Sequence, residues 1–194
     1  MKRKVEHNDI LKVGLEIMYT KGYYATGIKE IADAAGILKG SFYNYYSSKE
    51  EFGKALLEYY KDGMISKIKA ELNDKSVSPL QRIKDHFHNM AAHIKEMGDY
   101  SCGCFAGNMS QEIGDTCPTL SLATKEVTEE LKSVFKGCIQ EAIVSGEIDA
   151  DCDADTITEF IYNSWQGAIL SMKSSKSSVP IDAFMEIVFK KLIH

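Results

Sequence analysis

The chain has 194 residues, is 44% hydrophobic and 26% charged, and carries a net charge of −5. That is ordinary for a globular protein and enough length for one large or two modest domains. No stretch reaches the roughly 20 apolar residues needed to span a bilayer, and Lys12 and Glu16 interrupt the first helix, so neither a membrane segment nor a secretory leader is expected, and a cytoplasmic protein is.

Strand-like alternation is scarce, prolines occur only at Pro79, Pro118 and Pro180, and 3.6-residue periodicity dominates. An all-α fold of about nine helices is predicted. The Lys2-Arg3-Lys4 run ahead of the first helix either lies along a phosphate backbone or is a solvated terminus. The first helix is predicted over residues 8–21, with Ile10, Leu11, Gly14, Leu15 and Met18 inward and Gly22 ending it.

The second helix begins after Thr26, an N-cap whose hydroxyl can accept from an orphan backbone N–H. Ile28, Ile31 and Ala32 form its apolar stripe, and Gly36 stops it in a left-handed conformation. A third helix is predicted over residues 39–46. Phe42 and Tyr46 share its core side, while Lys39, Gly40, Tyr43 and Asn44 take the opposite side. Two helices joined by a short glycine turn are the layout of a helix-turn-helix, whose second helix enters the major groove.

Each outward residue has chemistry suited to a duplex. Lys39 can reach a guanine edge or a phosphate, and Gly40 lets the backbone approach a base. Ser41 offers a small donor and acceptor. The phenols of Tyr43 and Tyr45 suit phosphate oxygens, and Asn44 can pair with adenine or hold a phosphate. Ser47 is expected to cap the next helix with Glu50 in a capping box, and Lys49 stands in that helix's first turn, where a cation and free N–H groups favour phosphate. Charge agrees: residues 1–48 hold seven basic and five acidic side chains, and the remainder sixteen and twenty-three, giving +2 and −7.

A long helix follows over residues 48–72. The boundary between a helix-turn-helix DNA-binding domain (1–47) and a second helical domain (48–194), for which the family resemblance given below implies ligand binding and dimerisation, is placed at its start. Pro79 opens a helix reaching residue 97, a short helix covers 104–113, and a long one covers 119–145 up to Gly146. The acidic segment 149–155 leads into a helix to residue 173, and Pro180 opens the last, ending near Leu192. Ile157, Ile161, Trp165, Ala168 and Met172 stripe the penultimate helix, and Ile181, Phe184, Met185 and Val188 the last. These two either close the monomer core or pair with a second copy in a four-helix bundle, and a homodimer is expected because two half-sites lie roughly 34–36 Å apart.

The five cysteines, Cys102, Cys104, Cys117, Cys138 and Cys152, are expected as thiols, at spacings that match no zinc site. His86, His88 and His93 share a helix without a carboxylate at ligand spacing, so no metal is expected, and neither a cofactor nor a catalytic residue. A helical thiol enzyme is the alternative; it requires a Cys-x-x-Cys pair or a nearby His base, and Cys102-Gly103-Cys104 has neither.

Thr26, Ile31-Ala32, Ala35-Gly36, Lys39-Gly40-Ser41-Phe42-Tyr43, Tyr45 and Lys49 stand at the spacing of one known domain. Through them residues 9–58 resemble the DNA-binding domain of the TetR family of bacterial transcription regulators. Leu38 departs from the pattern, since members commonly carry Ser or Thr there. The order of nine helices resembles a whole TetR-type protomer. The resemblance implies a repressor that binds a palindromic double-stranded operator through Thr26, Lys39, Gly40, Ser41, Tyr43, Asn44, Tyr45 and Lys49. It also implies a small-molecule inducer and a cavity among the middle helices. Tyr60, Phe87, Met90, Cys104, Phe105, Met109 and Trp165, with Tyr59, His93, Met97 and Phe160, either line it or are ordinary core. Residues 103–109 with Glu112 resemble a subgroup that responds to toxic small molecules, electrophiles included. In that case Cys104, at a helix N-terminus that favours thiolate, is a sensor; otherwise it is a small buried thiol.

Overall fold

The structure, a computed structural model, describes residues 5–101 and 103–193, without the side chain of Leu192; Lys2-Arg3-Lys4 and Cys102 lie outside the described residues. Among the described residues the regular structure is helical throughout. The helices are α1 (His7–Lys21), α2 (Ile28–Ala34), α3 (Lys39–Phe42), α4 (Lys49–Leu72), α5 (Pro79–Met97), α6 (Phe105–Ile113), α7 (Pro118–Val144), α8 (Ala154–Ser175) and α9 (Val179–Ile187), which runs on into a π-helical turn, Val188–Leu192.

Local chemistry explains most of the ends. Glu6 opens α1 in a reciprocal capping box with Asp9. Gly36, at φ +72°, ends α2 in a Schellman motif: Ile37 N–H donates to Ala32 O (3.0 Å) and Gly36 N–H to Asp33 O (3.1 Å). Pro79 occupies the first turn of α5, and Asp153 caps α8 by accepting from Thr156 N–H at 2.9 Å.

Three expectations are corrected. Thr26 does not cap α2; Gly27 holds that position, and the Thr26 hydroxyl donates instead to Gly22 O at 2.7 Å. The third helix is shorter than predicted. After Phe42 the chain tightens into i→i+3 bonds from Asn44 N–H to Ser41 O and Tyr45 N–H to Phe42 O, with a last i→i+4 bond from Tyr46 N–H to Phe42 O. The cap of α4 is Ser48, one residue later than expected: Glu51 N–H donates to Ser48 Oγ (3.0 Å), and the Glu51 carboxylate reaches back to Ser47 N–H (2.6 Å) and the Ser47 hydroxyl.

The chain forms two compact units, Met1–Gly63 with Phe105–Thr128, and Met64–Cys104 with Glu129–His194. The first is thus not contiguous: α6 and the start of α7 belong with the predicted DNA-binding segment. Its core centres on Ile10, Met18, Ile31, Phe42, Phe52, Leu56 and Leu57. In the second unit Phe87 is the hub of an aromatic cluster, with ring centroids 5.5 Å from Phe135, 5.2 Å from Trp165 and 5.3 Å from Phe184. A polar network fastens the same unit. Arg82 donates to Leu72 O at the end of α4 and to Glu141 on α7 (2.7 Å), and Lys75 shares that carboxylate. Glu147 accepts from Leu80 N–H, capping α5 from another part of the chain.

Candidate nucleic-acid interface

The outward face is set by what is buried behind it. Phe42 is fully buried and Tyr46 is 4% exposed. Their rings pack with Phe52 of α4, at 5.3 Å for Phe42–Phe52 and 4.9 Å for Tyr46–Phe52. That three-ring contact fixes the rotation of α3 about its axis, so the opposite side must face solvent.

On that side Lys39, Gly40, Tyr43 and Asn44 are exposed and Ser41 is half-buried. A Cβ built on Gly40 meets nothing within 4 Å, so the backbone there is open to an approaching surface. Leu38 is the N-cap of α3 and supplies no capping hydrogen bond. The arrangement presents a cation, an amide, a hydroxyl and a phenol around a bare backbone position, as base-edge and phosphate contacts require.

The other three predicted contacts are used inside the molecule. Thr26 is 1% exposed and fastens the α1–α2 turn. The Tyr45 hydroxyl donates to Val5 O at 3.1 Å, and its ring meets His7 edge-on at 4.9 Å. The Tyr46 hydroxyl pairs with His7 Nδ1 at 3.1 Å, so the segment before α1 is tied to the end of α3. Lys49 does stand in the first turn of α4, but its ammonium lies 4.5 Å above the Tyr23 ring and 3.5 Å from Tyr24 O. Burial lowers the Lys49 pKa, with Glu112 pulling the other way. Burial, with Cys117, Glu50 and Tyr24 nearby, pushes the Tyr23 phenol up to about 12.

The contacts that brace the α1–α2 turn beside Lys49 escaped sequence reasoning. Glu112 of α6 accepts from Tyr24 N–H at 3.1 Å, and the Tyr24 and Thr116 hydroxyls pair at 2.6 Å. Sequence separations of 88 and 92 residues leave no local pattern to find.

The expected ligand contacts fall into two groups. In the first unit Tyr60 meets Phe105 at 5.5 Å, with Met109 1% exposed. In the second, Phe87 and Trp165 sit within the aromatic cluster, Met90 is half-buried, and Cys104 is half-buried immediately before α6. His93 and Met97 are exposed on the outer side of α5. Phe160, 46% exposed, instead lines an open groove of about 290 Å³ on α8 and α9 with Ser164, Gly167, Phe184 and Ile187. No group of three His, Cys, Asp or Glu side chains among the described residues could hold a metal ion, and no described helix is long and apolar enough to cross a membrane.

Comparison with known proteins fits this geometry. Residues 10–56 match the family described as bacterial regulatory proteins, tetR family, and residues 79–188 the tetracyclin repressor-like C-terminal domain. The chain is 32% identical over 193 residues to the HTH-type transcriptional repressor DhaR of Mycobacterium sp. (strain GP1), covering 100% of this chain and 95% of that one. It is 34% identical to the transcriptional regulator AcuR of Cereibacter sphaeroides, over 92% of this chain and 81% of that one. A crystal structure of a regulatory protein TetR from Rhodobacter sphaeroides matches with a TM-score of 0.87 at 31% identity, over 95% of this chain and 97% of that one. The reduced form of E. coli NemR shares the fold, with a TM-score of 0.85 at 22% identity over 96% of both chains.

Proposed function

Since this chain belongs to the TetR family of bacterial regulators and is a DNA-binding transcription repressor, we propose that it binds a palindromic operator as a homodimer and leaves it when a small apolar, aromatic or electrophilic ligand binds. The observation that carries the operator reading is the outward side of α3, where Lys39, Gly40, Tyr43 and Asn44 stand clear of the core while Phe42 and Tyr46 anchor the helix from behind. Lys49 and Tyr45 contribute to it by holding the α1–α2 turn and the segment before α1 in place.

The homodimer reading rests on the second unit. Phe160 of α8 and Ile187 of α9, about half exposed, line a groove together with Gly167 and Ala168, and Leu170 of α8 is likewise about half exposed. Small residues let a partner helix approach closely, and exposed apolar ones gain by being covered. Tyr60, Phe105 and Met109 in one unit, and Phe87, Met90, Cys104 and Trp165 in the other, are the candidate ligand contacts. The ligand acts by binding the released conformer more tightly, since equal affinity for both conformers would shift nothing.

A gel shift on the DNA upstream of the protein's own gene tests the reading: a discrete complex resistant to excess nonspecific DNA is expected, and its absence on every operator-length fragment counts against it. Exposure to quinone or hypochlorite then tests the thiol. If Cys104→Ser releases DNA as readily as the unaltered protein, Cys104 is not the sensor.

A further inference from the structure

Resting on the DNA-reading assignment above, we propose that Leu38 is a specificity residue: its isobutyl group packs against the C5-methyl of one thymine in each operator half-site. Leu38 is 79% exposed and stands as the N-cap of α3, with extended φ −72° and ψ 146°. Among the described residues 5–63 the large apolar side chains left exposed are Tyr24, Leu38 and Tyr43. Tyr24 and Tyr43 each carry a phenol hydroxyl; Leu38 offers hydrocarbon alone. A single exposed leucine elsewhere on a surface requires no explanation. This one sits at a position where Ser, Thr, Asp or Asn would satisfy a helix N–H and leucine cannot.

Leu38 makes no side-chain capping hydrogen bond at this helix start. Ile37, the preceding residue, is half-buried and supplies the apolar character of the turn, so Leu38 is not required for packing there. The exposed residues that follow it in the chain are Lys39, Gly40, Tyr43 and Asn44. Among the described residues 5–63, Leu38 is therefore the one large, purely hydrocarbon side chain left exposed, and the open space at Gly40 lets the polar reading surface come close to its target. The major-groove edge of DNA carries donors and acceptors and one apolar group, the thymine methyl. An apolar side chain beside base-reading polar groups is complementary to that methyl.

The test uses the full-length protein. An operator is selected from random DNA, and each thymine is replaced in turn, symmetrically in both half-sites, by uracil, which removes only the methyl. One position is expected to weaken binding about three- to fivefold per half-site, the effect of uncovering one methyl-sized group. In Leu38→Ala and Leu38→Asn that position should bind thymine and uracil within about twofold while other positions keep their preferences. Circular dichroism checks that both variants fold. The inference is overturned if no uracil position weakens the unaltered protein, a result independent of either variant, or if the sensitive position keeps its preference in both. If no sequence is enriched over random DNA, the DNA-reading assignment itself fails, and Leu38 with it.

Discussion

Gly14 has no side chain because Phe52 fills the place where one would go: a Cβ built there lies 2.3 Å from the ring's Cζ. The helical pattern put Gly14 on the inner face of α1, but only the packing shows that the ring demands it. Gly14→Ala should lose about 1–3 kcal/mol to overpacking, offset in part by the roughly 1 kcal/mol by which alanine favours a helix. A melting temperature a few degrees lower is the expected readout, and an unchanged one would mean that the ring is free to move aside. His86 was legible only as one of three histidines on a helix. In the folded protein it is buried, hydrogen-bonded to Glu71 and edge-on to Phe135 at 5.1 Å. Burial lowers its pKa, the Glu71 interaction opposes that shift, and Lys67 adds to it. The unfolded chain therefore takes up a proton near pH 6.5 that the folded one resists. Stability present at neutral pH should decline as the pH falls below about 6.5, until the folded-state pKa is passed. Melts between pH 7.5 and 5.5 should show this slope, and His86→Gln should flatten it.

The helices themselves were readable, because apolar residues recur at helical spacing and Gly22, Gly36, Gly98 and Gly146 mark ends. The side of α3 that faces out was readable too, from the spacing of Phe42 and Tyr46. Missed were one-residue shifts of cap, as at Ser47 and Ser48, where two adjacent serines compete for one helix start and only the reach of Glu51 decides between them. Also missed were the intramolecular partners of Thr26, Tyr45 and Lys49: each has chemistry equally suited to phosphate and to the backbone or ring beside it. The contact between α6 and the α1–α2 turn had no local signature. Glu112→Ala should remove the carboxylate that receives Tyr24 N–H, at a cost of about 1 kcal/mol. DNA affinity should fall as well, because Lys49 rests on the same turn. A melt together with operator titration checks both, and a variant that melts normally and binds normally would deny Glu112 this supporting role.

At the scale of the whole molecule, a net charge of −5 argues against a DNA reader until it is mapped: residues 1–48 carry +2 and the remainder −7. The groove on α8 and α9 makes a second claim at this scale. Ile187→Glu, at a position about half exposed, should leave helix content unchanged while shifting sedimentation at micromolar concentration toward monomer and weakening binding to a palindromic operator. A stable dimer that survives both Ile187→Glu and Leu170→Glu would place the contact elsewhere. The predicted split at residue 47 followed the motif, whereas compactness assigns Phe105–Thr128 to the same unit as the N-terminal helices. The ring of Phe105 lies parallel to Tyr19 at 6.4 Å, and the Leu120 side chain lies against Gly53. An engineer exchanging recognition heads between repressors cannot therefore treat the first sixty residues as a detachable cartridge: the graft has to bring its own lining from the middle of the chain, or the transplanted helices will meet a foreign floor.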